Sequence, residues 1–263
     1  MDLGLKETRV LVAASSRGLG RATARQFALE GARVAINGRD PSDLEGTAAE
    51  LSKDTGADVI ALPGDVADPR VAEAVVQGAV EHFGGLDVLV TNAGGPPAGT
   101  FESTPLDAWE EAFQLTVMSA VRLIHAALPH LRQSDRAAIL TITSTSIKQP
   151  IDSLILSNSV RMAVGGLTKS LAAELGPEGI RVNSILPGWT RTGRVEELLQ
   201  AQSEARGITV AEALQTRTTS IPLGRMADPE EFARVAVFLC SSAASYVHGV
   251  LLPVDGGSIK ATL

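Results

Sequence analysis

Short runs of consecutive apolar residues alternate along the chain with longer stretches in which apolar positions recur every three or four residues. The runs fall at 9–13, 33–37, 59–63, 88–91, 138–142, 181–186 and 250–254. Unbroken apolar runs this short are strands buried on both faces. The stretches with helical period fall at 20–30, 43–55, 69–83, 106–131, 156–175 and 229–241. Such alternation predicts an α/β, doubly wound Rossmann-type fold: about seven parallel strands with helices on both faces. No repeat, linker or low-complexity tract divides residues 1–263, which are expected to form a single domain. The one long irregular stretch, 188–223, follows the sixth strand and holds helical patterns of its own at 195–206 and 209–216. An excursion from the carboxyl end of a strand reaches over the ligand crevice of such sheets, so a substrate-side lid is expected here.

Composition narrows the picture. Of the 263 residues 44% are hydrophobic but only 3% aromatic, which suits helices packed closely on a sheet. A net charge of −7 leaves no concentrated basic face, so a nucleic-acid partner is not expected. No run of about 18 apolar residues is present, so no membrane span is expected. The N-terminus has no apolar signal core and the lone Cys240 cannot form an internal disulfide, so a cytoplasmic location is expected. The four histidines, His82, His125, His130 and His248, lack metal-ligand spacing, and no metal is expected.

The candidate chemistry lies where strands end. The first strand runs through Ala14-Ser15-Ser16-Arg17-Gly18-Leu19-Gly20 into a helix. Glycines there let backbone approach a pyrophosphate at a helix N-terminus. Gly64-Asp65-Val66 follows the third strand, Asn92-Ala93-Gly94 the fourth, and Pro187-Gly188-Trp189-Thr190-Arg191-Thr192 the sixth; the tail holds Pro253-Val254-Asp255-Gly256-Gly257. Together these segments resemble the short-chain dehydrogenase/reductase family over essentially the whole chain. The resemblance implies a dinucleotide cofactor, with Asp65 and Val66 at the adenine, Asn92, Ala93 and Gly94 along the cofactor, Thr192 at the nicotinamide carboxamide, and Pro187, Gly188 and Thr190 also among the cofactor-binding residues. Ala14 departs from the pattern, replacing the usual first glycine. The end of the second strand reads Asn37-Gly38-Arg39, without the acid that holds the ribose 2′-hydroxyl in NAD sites. Arg39 and Arg17 instead suit the 2′-phosphate of NADP(H).

The family's mechanism uses a serine to polarise a carbonyl and a tyrosine to deliver the proton. A lysine four residues on lowers the pKa of that tyrosine and holds the cofactor ribose, a part that Arg161 could take here as anchor and fixed positive charge. An asparagine on an earlier helix supports a water. Counting along the resemblance places these roles at Ser144, Ser157, Arg161 and Thr116. The only tyrosine is Tyr246, near the C-terminus. Residues 157 and 161 share a helix face, but an aliphatic alcohol is a far weaker acid than a phenol. A water held at Ser157, Lys148 or Asp152 are the alternative proton donors. The expected function is hydride transfer between NADP(H) and a small carbonyl or alcohol substrate. Two alternatives stand: an impaired NADPH-binding protein, and isomerase or lyase chemistry in the same pocket. On the substrate side, 95–99 forms a stiff rim, Trp189 and the 147–155 loop offer apolar walls, and Arg191 and Arg194 could meet an anionic group. Asp135 and Glu178 stand where carrier-protein reductases present arginines, which argues against an acyl-carrier substrate despite Arg136 and Arg181 nearby. The resemblance also implies a homodimer or homotetramer built on the helices at 106–131 and 156–175.

Overall fold

The computed structural model describes residues 2–262. The seven strands are β1 (Arg9–Val12), β2 (Arg33–Gly38), β3 (Val59–Pro63), β4 (Val88–Thr91), β5 (Ala138–Ile142), β6 (Arg181–Pro187) and β7 (Leu251–Val254). All pair in parallel in one sheet, ordered β3-β2-β1-β4-β5-β6-β7. The order reverses between β1 and β4, where Val12 lies opposite Ile36 on one side and Val90 on the other. A sheet that reverses in this way opens a crevice at the carboxyl ends of its strands.

Successive strand residues point to opposite faces. Val10, Val12, Val34, Ile36, Val88 and Val90 join a core with Phe27 and Phe232, beneath α1 (Gly18–Leu29), α2 (Pro41–Thr55) and α9 (Pro229–Cys240). Leu11, Ala35, Leu89 and Ile139 face the other way, onto α3 (Pro69–Phe83), α5 (Ser119–Leu131) and α6 (Ile155–Leu175). Several helix ends follow local sequence. The Asp40 and Asp68 side chains accept the backbone N–H of Asp43 and Arg70, each before a proline that opens its helix, and Gly56 and Gly84 end α2 and α3 in left-handed conformation.

The 106–131 stretch departs from a uniform helix. It consists of α4 (Leu106–Phe113), a π-helical turn (Gln114–Met118) and α5. A residue inserted into the hydrogen-bond ladder advances side-chain phase locally, which a recurrence of three or four does not register. By length and composition this stretch could cross a membrane, at a mean hydropathy of 1.2. Here it serves the core instead, with Leu123, Ile124, Ala127 and Leu131 buried against the sheet. The 188–223 excursion carries α7 (Gly193–Arg206) and α8 (Val210–Thr219) around a small apolar cluster of Val195, Leu199, Ala213, Ile221 and Met226. The Arg217 guanidinium lies 4.6 Å above the Trp189 ring and ties this unit to the end of β6.

Candidate active site

The loop from β1 to α1 is held by its neighbours. Asn92 Nδ2 donates to Ala14 O at 3.0 Å, Asn37 Oδ1 accepts from Ala14 N at 3.3 Å, and Ser15 Oγ donates to Val12 O at 2.6 Å. These bonds hold Ala14 at φ 47°, a left-handed conformation that disfavours a side chain and explains why glycine is usual there. Gly18 also has positive φ, 60°. At Gly20 a Cβ would lie 2.3 Å from Ala14 O, so no larger residue fits beneath the loop. Arg17 stands at the N-cap of α1 without a side-chain cap, and the first turn holds no acid, so its N–H groups have no side-chain partner. Asn37 is buried and its amide also donates to Leu62 O and Gly64 O. It braces the loop, a role that sequence reasoning missed.

A cleft of about 530 Å³ opens here. Ala14, Ser16, Arg17, Gly18, Leu19, Arg39, Asp65, Val66, Asn92, Ala93, Gly94, Pro187, Gly188, Thr190 and Thr192 line it. Gly20 does not line the cleft: it is buried beneath the loop, where its part is steric. Arg17 and Arg39 are exposed at the rim, and neither guanidinium has a hydrogen-bond or ion-pair partner among the described residues. Asp65 Oδ1 accepts from Ala67 N at 3.0 Å. An uncapped helix start, a glycine no side chain could replace and two free cations suit a dinucleotide phosphate chain.

The same cleft runs on to the expected catalytic positions. Ser144 follows β5 in extended conformation, and its Oγ accepts from Ser146 N at 3.1 Å, leaving its proton free to be donated. Ser157 sits in the first turn of α6 at 9% exposure, and its hydroxyl makes no hydrogen bond among the described residues. Arg161, one turn further on, is equally buried, and its Nη1 donates to Thr143 O at 2.9 Å and Ile142 O at 3.5 Å. No carboxylate partners it among the described residues. Burial, and then the like charge of Arg194, push the Arg161 pKa down to about 10, so it stays protonated at neutral pH.

Other expected residues fall elsewhere. Thr116 is a correction: within the π turn its hydroxyl is buried without a partner, while Leu115 reaches the cleft wall. Lys148 is half-buried and Asp152 exposed, and neither lines the cleft. Arg191 pairs with Asp228 at 2.8 Å, away from the wall. Arg194 does line it, and its Nη2 donates to Pro96 O at 2.5 Å. A Cβ on Gly95 would lie 2.8 Å from Arg194 Nε, so glycine makes room for that crossing. Ile142, Thr143, Ile151, Leu154, Val195 and Leu198 also line the cleft, assembled from three regions of the chain, of which the 147–155 loop is the apolar wall expected from sequence. Arg181 is no carrier-protein contact, because it donates to the carbonyls of Leu239, Cys240, Ser241 and Ala244. Arg132 pairs with Glu178 and Arg136 with Asp135. His248 takes its hydrogen bonds from Val182 N and to Ala172 O inside the structure.

A parallel sheet with this strand order, bearing at its switch point a glycine-turned helix start and a cleft of this composition, defines a dinucleotide-binding oxidoreductase fold. A profile described as enoyl-(acyl carrier protein) reductase matches residues 13–258. L-rhamnose 1-dehydrogenase (NAD(P)(+)) of Sphingomonas sp. (strain SKA58) is 38% identical over 96% of each chain. L-sorbose reductase of Gluconobacter frateurii, solved with NADPH and L-sorbose, superposes with a TM-score of 0.94 at 34% identity, over 99% of this chain and 100% of that one. A short-chain oxidoreductase of Pseudomonas aeruginosa PAO1, described as containing an atypical catalytic centre, superposes at 0.89 with 32% identity over 98% and 99% of the two chains. The chain belongs to the short-chain dehydrogenase/reductase family, and its relatives are NAD(P)-dependent oxidoreductases.

Proposed function

We propose that this protein is an NADP(H)-dependent oxidoreductase that interconverts a small ketone and its alcohol with a Tyr-less catalytic site. The observation that carries the reading is that Ser144, Ser157 and Arg161 line the same cleft as the dinucleotide segments. Bound NADP(H) would supply or accept the hydride. Arg17 and Arg39 would hold its 2′-phosphate, Asp65 and Val66 its adenine, and Thr192 its carboxamide. Ser144 would donate its hydroxyl proton in a hydrogen bond to the substrate oxygen, because its own oxygen is already fixed by Ser146 N. The proton itself would pass through a water held by Ser157 Oγ, whose hydroxyl has no hydrogen-bond partner among the described residues. Arg161 would supply a fixed positive charge beside the developing oxyanion, held in place by Thr143 O. The 188–223 unit would act as the lid on the substrate side.

Replacement of the tyrosine favours a second reading, an NADPH-binding protein with impaired catalysis. Fluorescence titration with NADPH and NADH tests the common ground. Arg17 and Arg39 predict tighter binding of NADPH, by about tenfold or more for each charge-assisted contact. Binding of neither dinucleotide would sink both readings. Phe101, Leu106, Phe113 and Met162, exposed on or just before α4 and on α6, support the expected two-fold assembly.

A further inference from the structure

Arg161 and Arg194 are two cations in one cleft: Arg161 has no acidic partner among the described residues, and Arg194 has only Glu197, which lines the same cleft. Arg161 is nine-tenths buried, and its hydrogen bonds go only to the carbonyls of Ile142 and Thr143. Its Nε and Nη2 donors have no protein acceptor among the described residues, although a guanidinium carries five N–H groups in a fixed fork. Arg194 enters from the start of α7, crosses Gly95 and donates to Pro96 O. Its one acidic neighbour, Glu197, is 3.4 Å away and more than half exposed, which makes it a weak counter-ion. Both side chains line the same cleft, and the charge on Arg194 adds to burial in holding the Arg161 pKa down. A buried cation costs free energy unless an anion or good acceptors compensate it, and two facing the same space cost more.

The location of the pair decides what the anion belongs to. The free N–H groups of α1, with Arg17 and Arg39, lie at the β1–β2 end of the cleft, where phosphate groups fit. Arg161 is anchored at the end of β5, next to Ser144 and one helical turn from Ser157. We infer that the substrate is an anionic carbonyl compound, an oxo acid whose carboxylate is taken by Arg194 and Arg161 while its ketone oxygen meets Ser144. This inference rests on the oxidoreductase reading above and names its substrate class. The planar fork of arginine accepts a carboxylate through two parallel hydrogen bonds, which a neutral polyol or an ester cannot reproduce.

Phenylglyoxylate and its methyl ester are suitable probes, since they share a ketone and differ in charge. Their affinities would be measured by calorimetry on the full chain saturated with NADP+, a complex that cannot turn over a ketone. The expected result is tighter binding of the acid by about tenfold or more, the span of a charge-assisted hydrogen bond. Arg194→Gln should lower that acid-to-ester ratio by a similar factor, and Arg194→Lys should retain most of it. The ratio is internal to each variant, so a general loosening of the lid would weaken both probes alike and leave it unchanged. An acid that binds no better than its ester, or not at all, overturns the inference, as does a ratio untouched by Arg194→Gln. If the cofactor pyrophosphate occupies these cations instead, acid and ester bind alike and Arg194→Gln weakens NADP+. Failure to take up NADP+ in the first step overturns the oxidoreductase reading and this inference together.

Discussion

Ser144 and Ser157 are both hydroxyls at the same end of the cleft, yet the geometry gives them different work. Ser144 Oγ accepts from a backbone N–H and keeps its proton for donation, whereas Ser157 Oγ has no hydrogen-bond partner among the described residues. Phenols titrate near 10 and aliphatic alcohols far higher, so neither serine replaces the acidity of a tyrosine. Ser144→Ala is expected to lower turnover by about 10²–10³-fold, as for other donors to a developing oxyanion. Its affinity for NADPH should stay within about twofold, because Ser144 meets the substrate oxygen and not the phosphates. Steady-state kinetics beside a fluorescence titration reads both, and an unimpaired variant would remove Ser144 from the mechanism. Resemblance located these side chains, but the hydrogen bonds that divide their roles come from backbone groups of residues 142–146, which no side-chain motif encodes.

At the scale of elements, a buried cation and a helix end settle one another. The C-terminal carbonyls of α9 lack partners within the helix, and Arg181 on β6 supplies donors to Leu239 O, Cys240 O, Ser241 O and Ala244 O. Burial pushes the Arg181 guanidinium pKa down, and the carbonyl oxygens satisfy its N–H groups. Arg181→Gln should destabilise the protein by about 3 kcal/mol, because several buried acceptors lose their donors together. For a chain of this size that corresponds to roughly 5–10 °C in Tm by differential scanning calorimetry. An unchanged Tm would show that solvent replaces Arg181 at no cost. From sequence Arg181 entered only as a cation near Glu178, since a cation at the start of a strand carries no sign of the helix end it will meet.

Across the whole molecule, the two halves of the sheet are joined at β1 and β4, and Asp87 pins that seam from the amino ends of the strands. Its carboxylate accepts from Arg9 Nη2 at 2.6 Å, Arg9 Nε at 2.9 Å, Arg9 N at 2.8 Å and Ser134 Oγ at 2.7 Å. Burial alone would raise the Asp87 pKa, but these hydrogen bonds and the Arg9 charge outweigh it and hold the carboxyl below the usual carboxylate range. A depressed folded pKa gives stability that is present above about pH 4 and lost as pH falls through the folded value. Urea unfolding should show Asp87→Asn less stable than wild type by about 3 kcal/mol at pH 7. The gap should narrow at pH 3, and an equal gap at both pH values would contradict the assignment. Assembly belongs to the same scale: static light scattering is expected to give the mass of a dimer or tetramer, and a monomer would leave the exposed Phe101, Leu106 and Phe113 unexplained.

The alternation of short apolar runs with helical periods determined the sheet, its parallel sense and most element positions, because a strand buried on both faces must be apolar throughout. Glycine and small-residue spacing likewise determined where the cleft would open, since only such residues tolerate the turn at 14–20. The tertiary structure alone decided which side chains meet. It placed Thr116 in a buried π turn, left Lys148, Asp152 and Arg191 off the cleft wall, and brought Arg194 across Gly95 toward Arg161. The physical reason is range: backbone preference and hydrophobic period act over a few residues, whereas the charge balance of a cleft is set by groups that the fold brings together from distant parts of the chain.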